Sequence, residues 1–550
     1  MPELSNALET VLAYHQRTKH HLHRYAASPG YLDWATQPDP FRRYEGAPRV
    51  LLPLPPEPDP HEPPAWDALF TNPPQPQPLG LGTLARFLYD SLALSAWKEA
   101  GGSRWSLRVN PSSGDLHPTE AYLILPAMPG LAERPALWHY DVLDHALERR
   151  LELPEPVRRD LEACWPSGGF WVGFTSIAWR ESWKYGERAY RYCHLDVGHA
   201  WAAVALSARV GGWETQRVEG VPEHVVALLL GVHTQQGPEA ERPDLLLAVT
   251  THATERCTLT ISEPARAALE AASWEGRPNR LSPAHRAWPV IDVVAGAAAD
   301  PGDVEPEWHP PRTLGWPWPP RPLSARHLIR RRRSAVAMDG HSRLTRTAFL
   351  RLLTRLVPAH EPFLNQVPGW RPRVALILFV HRVEALEPGL YALLREEAQL
   401  PLRRSLRADY DWEPVASPAK GLLLHQLESG DARQAAQVIA CHQEIAADGA
   451  FSAAMLADFE PVQTRGAHHY PRLYWECGVL GQLLYLEAEA AGLRGTGIGC
   501  FFDDALHQLV GLDPEGRWQD LYHFTVGGPV EDPRIRTLHA YHHRLRETEA

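Results

Sequence analysis

The strongest constraint on this 550-residue chain is that it repeats itself at one fixed offset. Subtracting 280 from Tyr470, Glu476, Gly478, Leu486 and Ala488 lands on Tyr190, Asp196, Gly198, Leu206 and Ala208. The same subtraction takes Gly492, Leu509 and Gly511 to Gly212, Leu229 and Gly231, so the offset holds over about forty residues without a gap. The order of elements agrees as well. Each copy has a stretch apolar on most faces (Leu195–Val210; Val479–Ala491), then a glycine suited to end a helix, and a second helix closing on Leu-x-Gly. An apolar strand follows in each (Leu245–Thr250; Tyr522–Val526). A helix apolar nearly all round must be buried, so each copy is predicted to fold around its own central helix. The chain reads as a tandem duplication.

Two α/β blocks, 75–255 and 323–550, carry the copies. Residues 1–74 form a proline-rich arm with some helix near Leu4–Tyr14, and 256–322 form a Pro- and Trp-rich linker of little periodicity. A net charge of −11 and 44% hydrophobic residues exclude global disorder and a broadly basic nucleic-acid surface. No apolar run approaches the roughly 20 residues that span a bilayer, and the N-terminus lacks a basic start followed by an apolar block. A cytoplasmic protein with no membrane or nucleic-acid partner is expected. The six cysteines are far apart in sequence and form no C-x-x-C pair, so Cys164, Cys193, Cys257, Cys441, Cys477 and Cys500 read as buried free thiols. No metal site is expected: His20, His21, His23, His468, His469, His542 and His543 lack ligand spacing and read as solvated or structural.

Four segments could carry chemistry. In RVNPSSGDLHPTE (Arg108–Glu120) a turn offers free backbone N–H groups and two hydroxyls to a polar ligand, although an ordinary capped loop would use the same residues. RRRRS (Arg330–Ser334) offers forked, charge-assisted bonds to a phosphate, or is a solvated basic patch. In GLRGTGIG (Gly492–Gly499) glycines allow backbone to approach a flat ligand closely, or simply cap a helix. In WKYGERAYRY (Trp183–Tyr192), Lys184 and Tyr185 form a lysine–phenol pair that can move protons, or mark a helix start with aromatic packing. Lysine is conspicuous in this chain: only four of the 55 basic residues are lysine, and lysine, unlike arginine, can give up its proton.

In this order on a duplicated frame, the segments resemble the nitroreductase family of flavin-dependent oxidoreductases. The likeness is closer to its SagB/ThcOx-type branch, the azoline dehydrogenases of peptide-modifying pathways. TKH (Thr18–His20), PFRRYEG (Pro40–Gly46) and LEPGLY (Leu386–Tyr391) add to the match. The resemblance implies an α+β fold of two nitroreductase-like domains packed as an intrachain pseudo-dimer, with FMN bound between them. It places Arg332, Arg333 and Ser334 at the FMN phosphate and ribityl chain. It brings Pro111, Ser112, Ser113 and Gly114 to the flavin from the other half, and sets Gly495, Gly497, Ile498 and Gly499 near N5. Arg534 and Arg536 become candidate phosphate contacts, and Lys184 and Tyr185 the proton-moving pair of a hydride transfer. The implied substrate is a small molecule or a modified peptide, with a peptide-modifying enzyme as possible partner.

The sequence also departs from the family pattern. Val336 stands where a second basic residue often follows the Arg-Arg-Ser run. The first copy has the PSSG loop but no such run; the second has the run but HEPFLNQVPGWRPR (His360–Arg373) in place of the loop. One complete site per chain is therefore expected, with its symmetry mate filled by side chains. Competing readings are an NAD(P)H-dependent nitro- or quinone-type reductase and a flavin-poor scaffold for a peptide-modifying enzyme.

Overall fold

The computed structural model describes residues 2–162, 165, 168–251, 258–310 and 312–547; Cys164 and Cys257 lie outside the described residues. Its two halves share one plan. The first sheet runs, in spatial order, Arg49–Leu51, Ala146–Glu152, Ala136–Asp141, Thr119–Leu125, Phe170–Ser176, Arg242–Thr250 and Glu214–Arg217. The second runs Glu413–Pro414, Leu423–Ser429, Gly389–Leu394, Val374–Val380, Phe451–Asp458, Trp518–Gly527 and Arg494–Ile498. Neighbouring strands pair antiparallel throughout both sheets.

Both faces of each sheet are covered, which explains why the inner strands are apolar at every position rather than at every second one. Leu123, Val172 and Leu247 turn toward the central helices, whereas Tyr122, Ile124, Trp171 and Leu246 turn outward onto helices Glu223–Leu229 and Glu263–Glu270. In the second half Leu376, Leu378 and Met455 face inward and Ala375, Ile377 and Leu456 outward. The central helices, Ala189–Val210 and His469–Ala490, are 22 residues each, about 33 Å at 1.5 Å per residue. Nearly every residue in both is buried, as their lack of a polar face requires.

The two helices cross at Gly198 and Gly478, a pair related by the repeat. A Cβ on Gly198 would lie 2.2 Å from the Trp475 carbonyl oxygen, and one on Gly478 would lie 2.3 Å from that of Leu195. Only glycine allows this approach, so the crossing accounts for a matched glycine pair inside two buried helices. The C-terminal strand Arg536–Leu538 then reaches across to pair with Trp97–Glu99 of the first half.

The arm and the linker are more ordered than their composition implies. The arm begins with helix Pro2–Arg17, and its Arg49–Leu51 becomes the edge strand of the first sheet. The linker contains helices Glu263–Glu270 and Pro289–Ala297. Buried charge fastens both to the second half: Asp67 and Glu487 each pair with Arg321 and Arg355, at 2.8–3.0 Å. Prolines that look like spacer are here held by paired ions beneath them.

Candidate active site

A cavity of about 400 Å³ lies between the halves, within the size range of small-molecule sites. The first half contributes the loop around Pro111–Gly114, with Tyr185, Tyr192, Asp196 and His199 of the segments entering and forming its central helix. The second half contributes Arg332–Val336, Tyr485, Gly497–Cys500, Gln443 and Tyr522. Residues from all four sequence segments therefore converge on one place.

The loop takes its shape from local chemistry. Gly114, Asp115 and His117 all have positive φ, and the Ser112 hydroxyl accepts the backbone N–H of His117 at 2.8 Å. The N–H of Ser113 is not free for a ligand, as the motif suggested. It donates to Asp196 at 3.1 Å, and the Ser113 hydroxyl donates to the same carboxylate at 3.0 Å. Burial pushes Asp196 up to about 7 against these hydrogen bonds, so a carboxyl that titrates near neutrality touches the loop.

Lys184 and Tyr185 end helix Ala178–Tyr185, where Gly186 at φ +56° turns the chain into the central helix. Tyr185 lines the cavity, and the Lys184 ammonium lies 5.3 Å from its ring centre. A side chain at 114 would meet the Tyr185 hydroxyl at 2.4 Å and the Lys184 ammonium at 3.0 Å, so the pair sits directly against the PSSG loop. Burial, reinforced by Glu181, raises the Tyr185 phenol well above its ordinary value and keeps it protonated. Glu181 is buried with neither carboxylate oxygen partnered among the described residues. Burial and Asp196 push its carboxyl well up, whereas Lys184 pulls it down.

Arg332 follows helix Ala325–Arg331 and crosses to the first half. Its guanidinium donates to the carbonyls of Val109 and Arg108 at 3.1 Å and lies 4.9 Å from the Tyr485 ring centre. Its Nη1 is buried with no partner among the described residues, leaving a cationic donor at the cavity. Arg333 is differently placed: its side-chain donors go to the carbonyls of Arg330, Arg332 and Ser95, and burial beside two arginines lowers it to about 9. The Ser334 hydroxyl shares a hydrogen bond with that of Tyr485 at 2.9 Å.

The glycine segment is not a helix-end loop but the edge strand Arg494–Ile498, with Ala335 N–H donating to the Gly495 carbonyl at 3.1 Å. Close packing explains its glycines. A Cβ on Gly495 would meet the Phe524 ring at 2.6 Å, one on Gly497 the Tyr522 hydroxyl at 1.8 Å, and one on Gly499 the Tyr192 ring at 2.2 Å. Gly497, Ile498 and Gly499 line the cavity; Gly495 lies behind it and anchors the Arg-Arg-Ser run.

Two expected residues do not reach the cavity. Arg534 is exposed and paired with Asp532 at 2.7 Å. Arg536 sits on the strand that crosses to the first half, exposed and 3.7 Å from Glu99. Both point to solvent because the chain leaves the second sheet at Gly527 to wrap the other half. Sequence reading missed Arg108, Tyr192, Asp196, His199, Gln443, Tyr485 and Tyr522, all of which line the cavity. Only Arg108, as the first residue of the loop motif, and Tyr192, as the last of the Trp183–Tyr192 segment, carried a signal; the others are hidden within buried helices, a strand and a turn.

His468 and His469 are structural, whereas not all the cysteines are as expected. His468 and His469 are buried and approach Asp303 at 3.3 Å, but Arg465 and Arg472 also pair with that carboxylate. The group forms part of an ion-pair network. Cys193 and Cys477 are buried free thiols, whereas Cys441 and Cys500 are partly exposed and touch each other.

Residues 395–528 match the nitroreductase family model. Among solved structures, a protein assigned as a nitroreductase from Anabaena variabilis is similar at TM-score 0.66 and 22% identity, over 95% of this chain and 99% of its own. A second assigned nitroreductase, from Ralstonia eutropha, is 16% identical over 40% of this chain and 95% of its own, at TM-score 0.28. The E. coli microcin synthetase McbBCD complex with truncated pro-MccB17 is 18% identical over 34% of this chain and 68% of its own, at TM-score 0.26. Neither of these two scores bears on the present chain. No curated protein matches it. The Anabaena likeness, spanning both chains, shows the fold: an α+β architecture of two nitroreductase-like halves packed together within one polypeptide.

Proposed function

We propose that the cavity between the halves binds FMN and that the protein is an FMN-dependent oxidoreductase of the azoline-dehydrogenase type. One observation carries this reading: the PSSG loop and Tyr185 of one half, with Lys184 against that loop, meet Arg332, Ser334 and Gly497–Gly499 of the other around a single cavity. The residues fit the cofactor. Arg332 Nη1 and Arg108 Nε are buried cationic donors with no partner among the described residues, suited to a phosphate. Arg108 also supplies a positive charge that Val336, exposed on the rim, does not. Arg333 would add charge with fewer donors to spare, because three of its N–H groups already bond carbonyls.

Bound there, FMN supplies a hydride acceptor and donor at N5. The chain's own part is to hold the ring against the glycine strand and to move a proton. Oxidising a thiazoline or oxazoline ring removes one hydride and one proton, and Lys184 would take that proton as its free amine. The protonated phenol of Tyr185 can relay it, and Asp196, poised near neutrality behind the loop, can exchange it onward. The resemblance of this lysine–phenol pair to that of the azoline dehydrogenases supports the substrate class: a small heterocycle, free or within a modified peptide.

The visible absorbance of the purified protein, with the mass of any released cofactor, tests the first half of the reading. Incubation with a thiazoline-containing peptide, scored for loss of two hydrogens, tests the second. A colourless protein that FMN fails to stabilise would overturn the flavin assignment. NADPH-driven quinone reduction without thiazoline oxidation would instead favour a general reductase.

A further inference from the structure

Two cysteines distant in sequence meet at the rim of the cavity. Cys500 directly follows the glycine strand and lines the cavity, and Cys441 occupies the turn between helices Arg433–Ile439 and Ile445–Asp448. Their sulfurs are 2.9 Å apart, as free thiols, and both residues are partly exposed. A disulfide has sulfurs about 2.05 Å apart, so the pair needs to close by less than about 1 Å.

The surroundings favour chemistry at this pair. Cys441 and His442 have φ of +53° and +62°, two successive non-glycine residues in the left-handed region. Such positions are strained and persist where neighbouring contacts hold them. One such contact is the Gln443 side chain, which donates to the Cys500 carbonyl at 3.0 Å and itself lines the cavity. The arm covers the pair from the other side. His20 Nδ1 accepts the Ala26 N–H at 2.9 Å, so the neutral ring carries its proton on Nε2 and can donate to Cys500. Arg188 adds positive charge nearby, and Tyr25 hydrogen-bonds Cys441. The two thiols are therefore driven apart. Contact with Cys441, then His20 and Arg188, outweighs burial and brings Cys500 down, whereas Cys441 is raised by facing Cys500 and by burial.

We propose that Cys441 and Cys500 form a dithiol–disulfide couple at the cavity rim, with Cys500 the attacking sulfur, Cys441 the resolving sulfur, and a small disulfide of the glutathione type as oxidant. The Cys500 thiolate attacks one sulfur of glutathione disulfide, forming a mixed disulfide and expelling one glutathione thiolate. Cys441 loses its proton to solvent, attacks the Cys500 sulfur and expels the second. The two cysteines lose two electrons between them, and one glutathione disulfide gains them to become two thiols. The new bond ties the turn that carries Gln443 to the end of the glycine strand, so the redox state sets the cavity rim. None of these steps involves a flavin, so the inference stands or falls separately from the FMN assignment.

The test uses the full chain equilibrated in glutathione buffers from fully reduced to fully oxidised, then acid-quenched, alkylated and digested. The expected product is a Cys441–Cys500 linked peptide, two hydrogens lighter, that accumulates with oxidation and disappears on reduction. Cys441→Ser should stop at a single glutathione adduct on Cys500, and Cys500→Ser should leave Cys441 without one. Absolute alkylation rates are a poor readout, because nucleophilicity falls together with pKa. The pH profile is a better one: in the unmodified chain Cys500 alkylation should stay nearly flat from pH 6 to 8, where an ordinary thiol rises roughly 80-fold. Absence of the linked peptide in fully oxidised buffer would overturn the couple. A glutathione adduct on Cys441 rather than Cys500 would overturn the assigned roles.

Discussion

The cavity around Gly497 and the packed region around Arg217 occupy repeat-related positions on edge strands of equivalent sheets, yet only the first is open. Arg217, 280 residues before Gly497, is buried, paired with Glu219 and 5.9 Å from the Trp370 ring centre. Gly481 has Trp201 as its mate, which packs on Trp370 with ring centres 5.8 Å apart. Tyr192, at the cavity, corresponds to Arg472, whose guanidinium pairs with Asp300, Asp303 and Glu305. Asp196, which holds the PSSG loop, corresponds to Glu476, which pairs with Arg395 and accepts the Trp370 indole N–H at 2.9 Å. A shared backbone plan therefore does not make two sites. What makes one is a strand without side chains; where the mate segment bears Thr215, Arg217 and Glu219, side chains fill the region.

If this contrast is functional, the largest effect belongs to the proton-moving pair, whose repeat mates are Thr464 and Arg465. Lys184→Arg keeps the charge but cannot release a proton at working pH. Thiazoline-peptide oxidation should fall by about 10²–10⁴-fold while FMN content stays at the wild-type level. Unchanged turnover would make Lys184 a packing residue.

The next effect separates Asp196 from Glu476. Burial holds Asp196 up at about 7, against an ordinary carboxyl near ~3.9. Between these values the unfolded chain releases a proton that the folded chain keeps. The contribution of Asp196 is therefore fully present below about pH 4 and is lost as pH rises through about 7. Over that span it amounts to up to about 4 kcal/mol. Urea midpoints measured from pH 4 to 7 should decline less steeply in Asp196→Asn than in wild type; parallel curves would refute the buried titration. Glu476→Gln should instead cost about 3–5 kcal/mol by leaving Arg395 buried without its charged partner.

Much of the frame was legible because it depends on periodicity and repetition. The central helices and the apolar strands follow from patterns that burial imposes on every residue, whereas the aligned Gly198 and Gly478 did not announce that the helices cross there. The site was legible where a motif is contiguous, as in PSSG, Lys184–Tyr185 and Arg332–Ser334. It was not legible where the cavity borrows single residues from buried elements. Tyr485 and Tyr522 look like core aromatics, and nothing local marks Asp196 as the cap of a loop some eighty residues away. Arg534 and Arg536 misled because basic residues after a last strand say nothing about where the chain goes next, and here it leaves to pair with Trp97–Glu99.

A smaller effect is expected at Arg332. Truncation to alanine removes one charge-assisted contact, about 1.5–3 kcal/mol, or roughly 10–150-fold in FMN affinity. Fluorescence titration of the apoprotein measures it, with Arg333→Ala alongside as the milder change because three of its donors are already used by carbonyls. Equal losses in the two variants would erase the distinction drawn between them.

The smallest numerical effect, a factor of two, tests the comparison itself. A symmetric pair of sites would bind two FMN per chain, whereas one open and one filled site bind one. Each complete site needs a PSSG-type loop from one half and an Arg-Arg-Ser run from the other. The first half has only the loop, and the segment before its helix Leu81–Tyr89, Thr71–Pro78, contains no arginine. The second half has only the run, with Trp370 and Arg373 packed where its loop would open. Reconstitution with excess FMN, removal of free cofactor and quantification against protein should give a ratio near one. Exchanging the repeat mates then asks which side chain decides. Gly497→Arg places a side chain where even a Cβ meets the Tyr522 hydroxyl, so the ratio should drop to zero, with circular dichroism checking that the fold survives. Arg217→Gly empties one position of the filled region but leaves Trp201, Trp370 and the Arg472 network in place, so the ratio should remain one. A wild-type ratio of two would show that the filled side opens in solution, and the asymmetry between the halves would then have no bearing on cofactor binding.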